Sequence, residues 1–250
     1  MLTQATIDQM RSMKMTSLVE AFERQLGSSE FGSLSFEERV GMMIDEEYSA
    51  REQRKLTRRL TWAKLRHQAS LEDVDWQAAR GLDRQVVLAL GRCGWVRDRQ
   101  NLLITGPTGV GKSWLACAFA EQACRQGYSV YYIRAPRMHH DLTVARGDGS
   151  YGRMLSRLGK TQLVVIDDFG LAPLKDQERR DLLEILEDRH ERASTLVTSQ
   201  LPVKTWHEAI GEPTLADAIC DRLIHGAHRI ELKGQSLREA KARAKKPVKG

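Results

Sequence analysis

Gly106-Pro107-Thr108-Gly109-Val110-Gly111-Lys112-Ser113 limits what this chain can fold into more than any other stretch. The apolar run Leu102-Leu103-Ile104-Thr105 before it reads as a buried strand, and the residues from Trp114 to Glu121 after it read as a helix. The glycines therefore sit at a strand-to-helix turn, where residues without a Cβ let backbone N–H groups close on a phosphate chain. This is the phosphate-binding loop pattern. Gly106, Pro107, Thr108, Gly109, Val110, Gly111, Lys112, Ser113 and Trp114 are the candidate nucleotide contacts, with Lys112 reaching the β- and γ-phosphates and Ser113 ligating magnesium. ATP and Mg2+ are the expected cofactors. The plain alternative is a Gly-rich turn, and the flanking strand and helix argue against it.

Beyond the loop, apolar runs alternate with helical patterns, as in a parallel sheet covered on both faces. Strands are expected over 102–105, 129–133, 163–166, 195–198 and 228–232, with helices over 136–145, 177–192 and 214–225. The fold class is α/β: a phosphate-loop NTPase core with a five-stranded parallel sheet, its ligand at the carboxyl ends of the strands. The chain ahead of it reads as all-α. Ile7, Met10, Leu18, Phe22 and Leu26 predict one amphipathic helix over 6–26. Ser35-Phe36-Glu37-Glu38 is a capping box opening a second helix, whose stripe Phe36, Val40, Met43, Ile44 and Tyr48 leads into a basic run ending near Arg66. Two such helices bury little core alone, so they are expected to dock on a partner subunit, on DNA or on both. The domains read as 1–66, an N-terminal helical domain; 67–99, a linker packed by Trp76 and a leading helix; 100–233, the ATPase core; and 234–250, a basic tail.

Leu163-Val164-Val165-Ile166 ends in Asp167-Asp168, an acid at the end of a strand beside the phosphate loop. Asp167 is the candidate magnesium ligand, acting through the ion's water shell, and Asp168 the candidate general base for the attacking water. At the end of Leu196-Val197-Thr198-Ser199-Gln200 a polar side chain can reach between the γ-phosphate and that water; Gln200 is placed ahead of Ser199. Arg222, late on the last helix, is too far along to serve its own loop. It suits the γ-phosphate of a neighbour's ATP, which makes hydrolysis depend on assembly. A surface ion pair with Asp217 or Asp221 is its competing use.

Charge is concentrated in two places. Residues 51–66 hold seven basic side chains against Glu52 and residues 233–250 seven more against Glu239, so about +12 lies in two short segments of a chain with net charge +6. That is the footprint of a polyanion partner, with Arg54, Lys55, Arg58 and Arg59 as candidate phosphate contacts. A solvated helix face and a solubilising tail are the competing reading. No run approaches the roughly 20 apolar residues of a membrane span, so a cytoplasmic protein with no membrane partner is expected. Cys93, Cys117, Cys124 and Cys220 form no C-x-x-C pair and read as reduced thiols.

The order phosphate loop, Asp167-Asp168, Ser199-Gln200, Arg222 resembles the AAA+ ATPases and, within them, the helicase-loader and initiator branch. Over Ser35-Phe36-Glu37-Glu38-Arg39, Thr198-Ser199-Gln200-Leu201-Pro202 and Gly211-Glu212-Pro213-Thr214-Leu215-Ala216-Asp217-Ala218-Ile219 the chain is similar to the IstB family, the helper ATPases of insertion-sequence transposons. The resemblance covers nearly the whole chain. It implies a homo-oligomer joined through ATP-bridged interfaces that binds duplex DNA, remodels it as a target, and recruits or stimulates the element's transposase. It also implies DNA contacts between the second and third strands, where Arg137, Arg146, Arg153 and Arg157 lie, with Lys160 just beyond. Asp168 stands where a glutamate is usual, which implies slow hydrolysis without a partner. No C-terminal lid domain is expected after 232, so the lid's arginine is missing unless Arg238 replaces it. The alternative is a DnaC-like replicative helicase loader, which would favour single strands; aromatic residues make up only 6% of the chain and form no stacking pair in the basic segments. A small-molecule kinase would leave the basic segments without a use.

Overall fold

The computed structural model describes residues 2–237, so Arg238 and the rest of the basic tail lie outside the described residues. Two compact units divide between Arg58 and Arg59.

The first unit holds α1 (Leu2–Ser12), α2 (Thr16–Gly27), a 3-10 turn (Ser29–Ser33) and most of α3 (Phe36–Ala63). The single helix expected over 6–26 is therefore two, with a turn at 13–15 where Lys14 takes a φ of 58°. The reason is packing: Ile7 and Met10 fold back on Val19, with Met15, Leu18 and Phe22 around them. In a continuous helix Ile7 and Val19 would stand about 18 Å apart along the axis. The capping box forms as expected, Ser35 N–H donating to Glu38 Oε2 (2.8 Å) and Glu38 N–H to Ser35 Oγ (3.2 Å). A second cap came from further along the chain. Glu47, buried on α3, accepts from the Ser17 and Leu18 N–H groups at the start of α2 and from Arg51 and Arg54. Burial alone would raise its pKa, but these bonds outweigh it and hold the carboxyl below its usual range. The expected stripe on α3 divides: Val40 and Met43 are half-buried, while Phe36, Ile44 and Tyr48 are exposed.

The second unit continues with α4 (Arg84–Gly91), α5 (Gly94–Arg97), β1 (Leu102–Thr105), α6 (Lys112–Arg125), β2 (Val130–Arg134), α7 (Ala135–Gly147), α8 (Tyr151–Lys160), β3 (Leu163–Phe169), α9 (Asp176–Arg189), β4 (Ser194–Ser199), α10 (Trp206–Ile210), α11 (Pro213–Ile224) and β5 (His228–Glu231). The five strands are parallel in the order β2-β3-β4-β1-β5. β3 therefore does not adjoin the strand of the phosphate loop; β4 lies between them. Strands β1 to β4 are nearly all buried, as expected for a sheet with helices on both faces. In the linker it is Val74 that is buried, whereas Trp76 is half-buried under the Arg84 guanidinium. The short helix α10 was not expected. Its buried Trp206 packs on Phe169 at 4.9 Å and donates from Nε1 to the Leu201 carbonyl (3.1 Å). Arg189, 1% exposed, is internal and donates to the carbonyls of Leu158, Thr161 and Ser194 and to Thr195 Oγ1. Burial pushes its pKa down to about 9. Among the described residues no helix is long and apolar enough to cross a membrane.

Candidate functional site

The phosphate loop leaves the carboxyl end of β1 and turns into α6. Two of its glycines are required by close approach. A Cβ on Gly106 (φ 145°) would strike the Leu232 carbonyl, and one on Gly109 (φ 85°) would strike the Ser236 side chain. The Leu237 N–H donates to the Gly109 carbonyl (3.0 Å), so the stretch after β5 braces the loop. Lys112 opens α6 and donates from Nζ to the Pro107 carbonyl (2.8 Å).

Ser113 Oγ donates to Asp167 Oδ1 at 2.8 Å. Asp167 is fully buried and also accepts from Tyr132 Oη and Thr198 Oγ1. Burial, with Asp167 beside it, pushes the Tyr132 phenol well above its usual pKa, so it remains a donor. A hydroxyl and a carboxylate in contact below a Gly-rich loop are hard oxygen ligands suited to Mg2+, and the open loop suits a phosphate chain.

Asp168 sits at an irregularity where the β3–β4 register shifts between Ile166 and Phe169. Its φ of 62° is left-handed, a conformation aspartate tolerates and one that concentrates at functional sites. The Asp168 N–H donates to Thr198 Oγ1 (3.1 Å), and the carboxylate accepts from Arg134 Nε (2.9 Å). Arg66 NH1 lies 3.8 Å from Asp167 Oδ2 and 3.9 Å from Asp168 Oδ2. Burial works against the Arg66 charge, but Tyr132 and the two aspartates outweigh it.

Ser113, Asp168, Arg134 and Arg66 open on one cavity of about 830 Å³, whose wall also includes Thr108, Lys112, Trp114 and Gln200. The volume is that of a nucleotide-sized ligand site. Gln200 Oε1 accepts from Thr108 Oγ1 (2.7 Å), tying the end of β4 to the loop. Ser199 is outside that wall: its buried hydroxyl donates to the Phe169 carbonyl (2.7 Å) and accepts from the Leu201 N–H (3.1 Å). Arg222 is also elsewhere, beside a separate cavity near the amino end of β1, where Asn101 Nδ2 donates to the Arg222 carbonyl (2.8 Å). Its guanidinium meets Glu187 Oε1 (3.0 Å) and the Ala218 carbonyl (3.1 Å), not Asp217 or Asp221.

The candidate DNA contacts also divide. Arg58 and Arg153 are exposed, and the exposed side chains of Arg54, Lys55 and Arg137 pair with buried Glu47, with Glu52 and with Asp141, respectively. Arg59 donates to the Cys124 carbonyl (3.4 Å). Arg146 is held by buried Asp181 and lies 3.8 Å over the Tyr151 ring, and Arg157 lies over both Trp62 and Tyr131 at 4.3 and 4.0 Å. Both stack on aromatic faces.

Sequence reasoning missed Arg66, Arg80, Tyr132, Arg134 and Thr198. Arg134 had a signal: it ends β2 in register with Asp167, so pairing β2 with β3 would have found it.

A family model described as IstB-like ATP binding protein matches residues 8–245. An insertion-sequence ATP-binding protein of Sinorhizobium fredii is 52% identical over 97% of this chain and 99% of its own length. Among solved structures, DnaI superposes with a TM-score of 0.58 at 23% identity over 66% of this chain and 91% of that one. The DnaC helicase loader does so with a TM-score of 0.53 at 17% identity over 60% and 87%. At these identities the two structures establish the fold alone, that of an AAA+ phosphate-loop protein.

Proposed function

The chain belongs to the family of IstB-like ATP binding proteins, and from that premise we propose that it is the ATPase helper of an insertion-sequence transposase, assembling with ATP on duplex DNA. One observation carries the reading: Lys112, Ser113, Asp168 and Gln200 share a cavity, and Arg222 stands outside it. In this reading Arg222, which its own subunit's cavity does not contain, serves the γ-phosphate of a second copy.

In this reading Lys112 and the loop N–H groups hold the phosphates, and Ser113 and Asp167 hold the ion. Bound Mg2+ supplies charge neutralisation for phosphoryl transfer. Asp168 takes the proton of the attacking water, Arg134 fixes that carboxylate, and Gln200 orients the water from the end of β4. Arg222 of the neighbouring copy meets the developing charge. Arg54, Lys55, Arg58, Arg137 and Arg153 then supply the DNA phosphate contacts, and the name of the Sinorhizobium relative supports a transposase as the next partner.

The test is particle mass and affinity on a short random duplex, against a single strand of equal length, with ATP, a non-hydrolysable analogue or no nucleotide, at two salt concentrations. A large defined particle on duplex that needs ATP and weakens with salt is expected. Preference for the single strand would favour a helicase loader on the same fold. Asp168→Asn should keep ATP binding, lower turnover at least a hundredfold, and give a long-lived DNA complex. Dissociation at the parent rate in ATP would remove Asp168 from the base role.

A further inference from the structure

Among the described residues, two arginines of the second unit are more than nine-tenths buried, and they are treated differently. Arg189 spends its guanidinium on four protein acceptors. Among the described residues the guanidinium of Arg80, 5% exposed, donates from NH2 to the Asp75 carbonyl (3.0 Å), its Nε is buried without a partner, and no carboxylate oxygen lies within 4.0 Å of it. A buried cation is normally compensated by charge and by hydrogen bonds on most of its five N–H groups. Burial accordingly pulls the Arg80 pKa below the usual arginine value, and the more distant Asp75 offsets only part of this.

Its location supplies the missing partner. Arg80 is on the wall of the same cavity as Lys112, and its NH1 lies 3.0 Å from where a Cβ on Gly111 would stand. Gly111 is the residue just before Lys112, at the point where the loop becomes α6. The backbone fixes the arginine there, since the Arg80 carbonyl accepts from the Lys233 N–H (2.8 Å), tying the linker to the stretch that braces the loop.

We propose that Arg80 is a nucleotide ligand acting within its own subunit, its buried guanidinium binding the α/β-phosphate part common to ATP and ADP. The inference rests on the reading of the cavity as a nucleotide site and adds to it a cation that neither the phosphate loop nor a C-terminal lid provides. The assignment to the α/β part follows from the contact with Gly111, a residue of the loop whose backbone N–H groups cradle the α- and β-phosphates, while Lys112 serves the β- and γ-phosphates.

The test uses the full chain, with titration calorimetry for ATP and ADP and a thermal melt without nucleotide. For Arg80→Met the expected result is a loss of about tenfold to a hundredfold for ATP and ADP alike, as for a charge-assisted bond removed. The nucleotide-free melting temperature should be equal to or above the parent's, because an uncompensated buried charge has been replaced by an apolar group. Arg80→Lys, which keeps the charge but not the fork, should bind with intermediate affinity. Parent-like ADP binding in Arg80→Met, loss confined to ATP, or a lowered nucleotide-free melting temperature would each overturn the proposal, the last by making Arg80 a structural brace. If Arg80→Met does not fold, parent-like affinity in Arg80→Lys overturns it. Lys112→Ala is the control for the underlying reading: if the parent and Lys112→Ala bind nucleotide equally, the cavity is not a phosphate-loop site, which is a different failure from Arg80 alone proving neutral.

Discussion

Replacing Lys112 with alanine is expected to lower ATP affinity by about two to three orders of magnitude and to abolish ATP-dependent binding to duplex DNA. The side chain is 7% exposed, and its Nζ lies 2.8 Å from the Pro107 carbonyl on the cavity wall. An ammonium in that place makes charge-assisted bonds to two phosphates, each worth about 1.5–3 kcal/mol, and alanine keeps neither. The fold should survive, because the substitution also removes the desolvation cost of a nearly buried charge. Calorimetry with ATP and anisotropy on a labelled duplex check the two halves. DNA binding at the parent level, with ATP affinity lost, would take the nucleotide out of the mechanism.

Arg222→Ala should behave in the opposite way. ATP binding by the isolated subunit is expected to be unchanged, since Arg222 is outside the nucleotide cavity. Turnover in the assembled state should fall about a thousandfold, the usual scale for an arginine supplied by a neighbour. The structural cost is small: Glu187, half exposed, loses one partner, an effect of about 1 kcal/mol or less. Mixing separates this from a general defect. Arg222→Ala subunits keep a sound loop, and Lys112→Ala subunits keep Arg222, so a mixture of the two inactive variants should regain measurable ATPase activity. No recovery on mixing, with full activity in Arg222→Ala alone, would leave the arginine as a surface ion pair with Glu187.

Local features were legible in the sequence because they depend on neighbours in the chain. The capping box at Ser35 and Glu38 closes over three residues, and the strand, glycine and helix signals around Lys112 lie within about twenty. Ser113 and Asp167 could be paired in advance because each belongs to a pattern with a known chemical partner. Strand order could not be read this way. An apolar run records that a strand is buried, not which strand lies beside it, and so β3 was placed next to the loop although β4 intervenes. The same limit hid Arg66, the last of a basic run, and Arg80 and Arg134, single basic residues, which only the tertiary fold brings to Asp167, Gly111 and Asp168. A basic residue on a helix likewise does not announce the buried aspartate or the aromatic rings it meets, as Arg146 and Arg157 do.

The pairing of β1 sets the order in which this protein can mature on the ribosome. Both neighbours of β1, β4 and β5, are synthesised after it, and the groups that hold Gly106 and Gly109 come later still, from Leu232, Ser236 and Leu237. A nascent chain that has released the phosphate loop has therefore made neither the sheet position of its leading strand nor the brace across its glycines. Pairing of this kind is non-local and slow to form. The nucleotide pocket is thus braced only once the chain through Leu237 has been made.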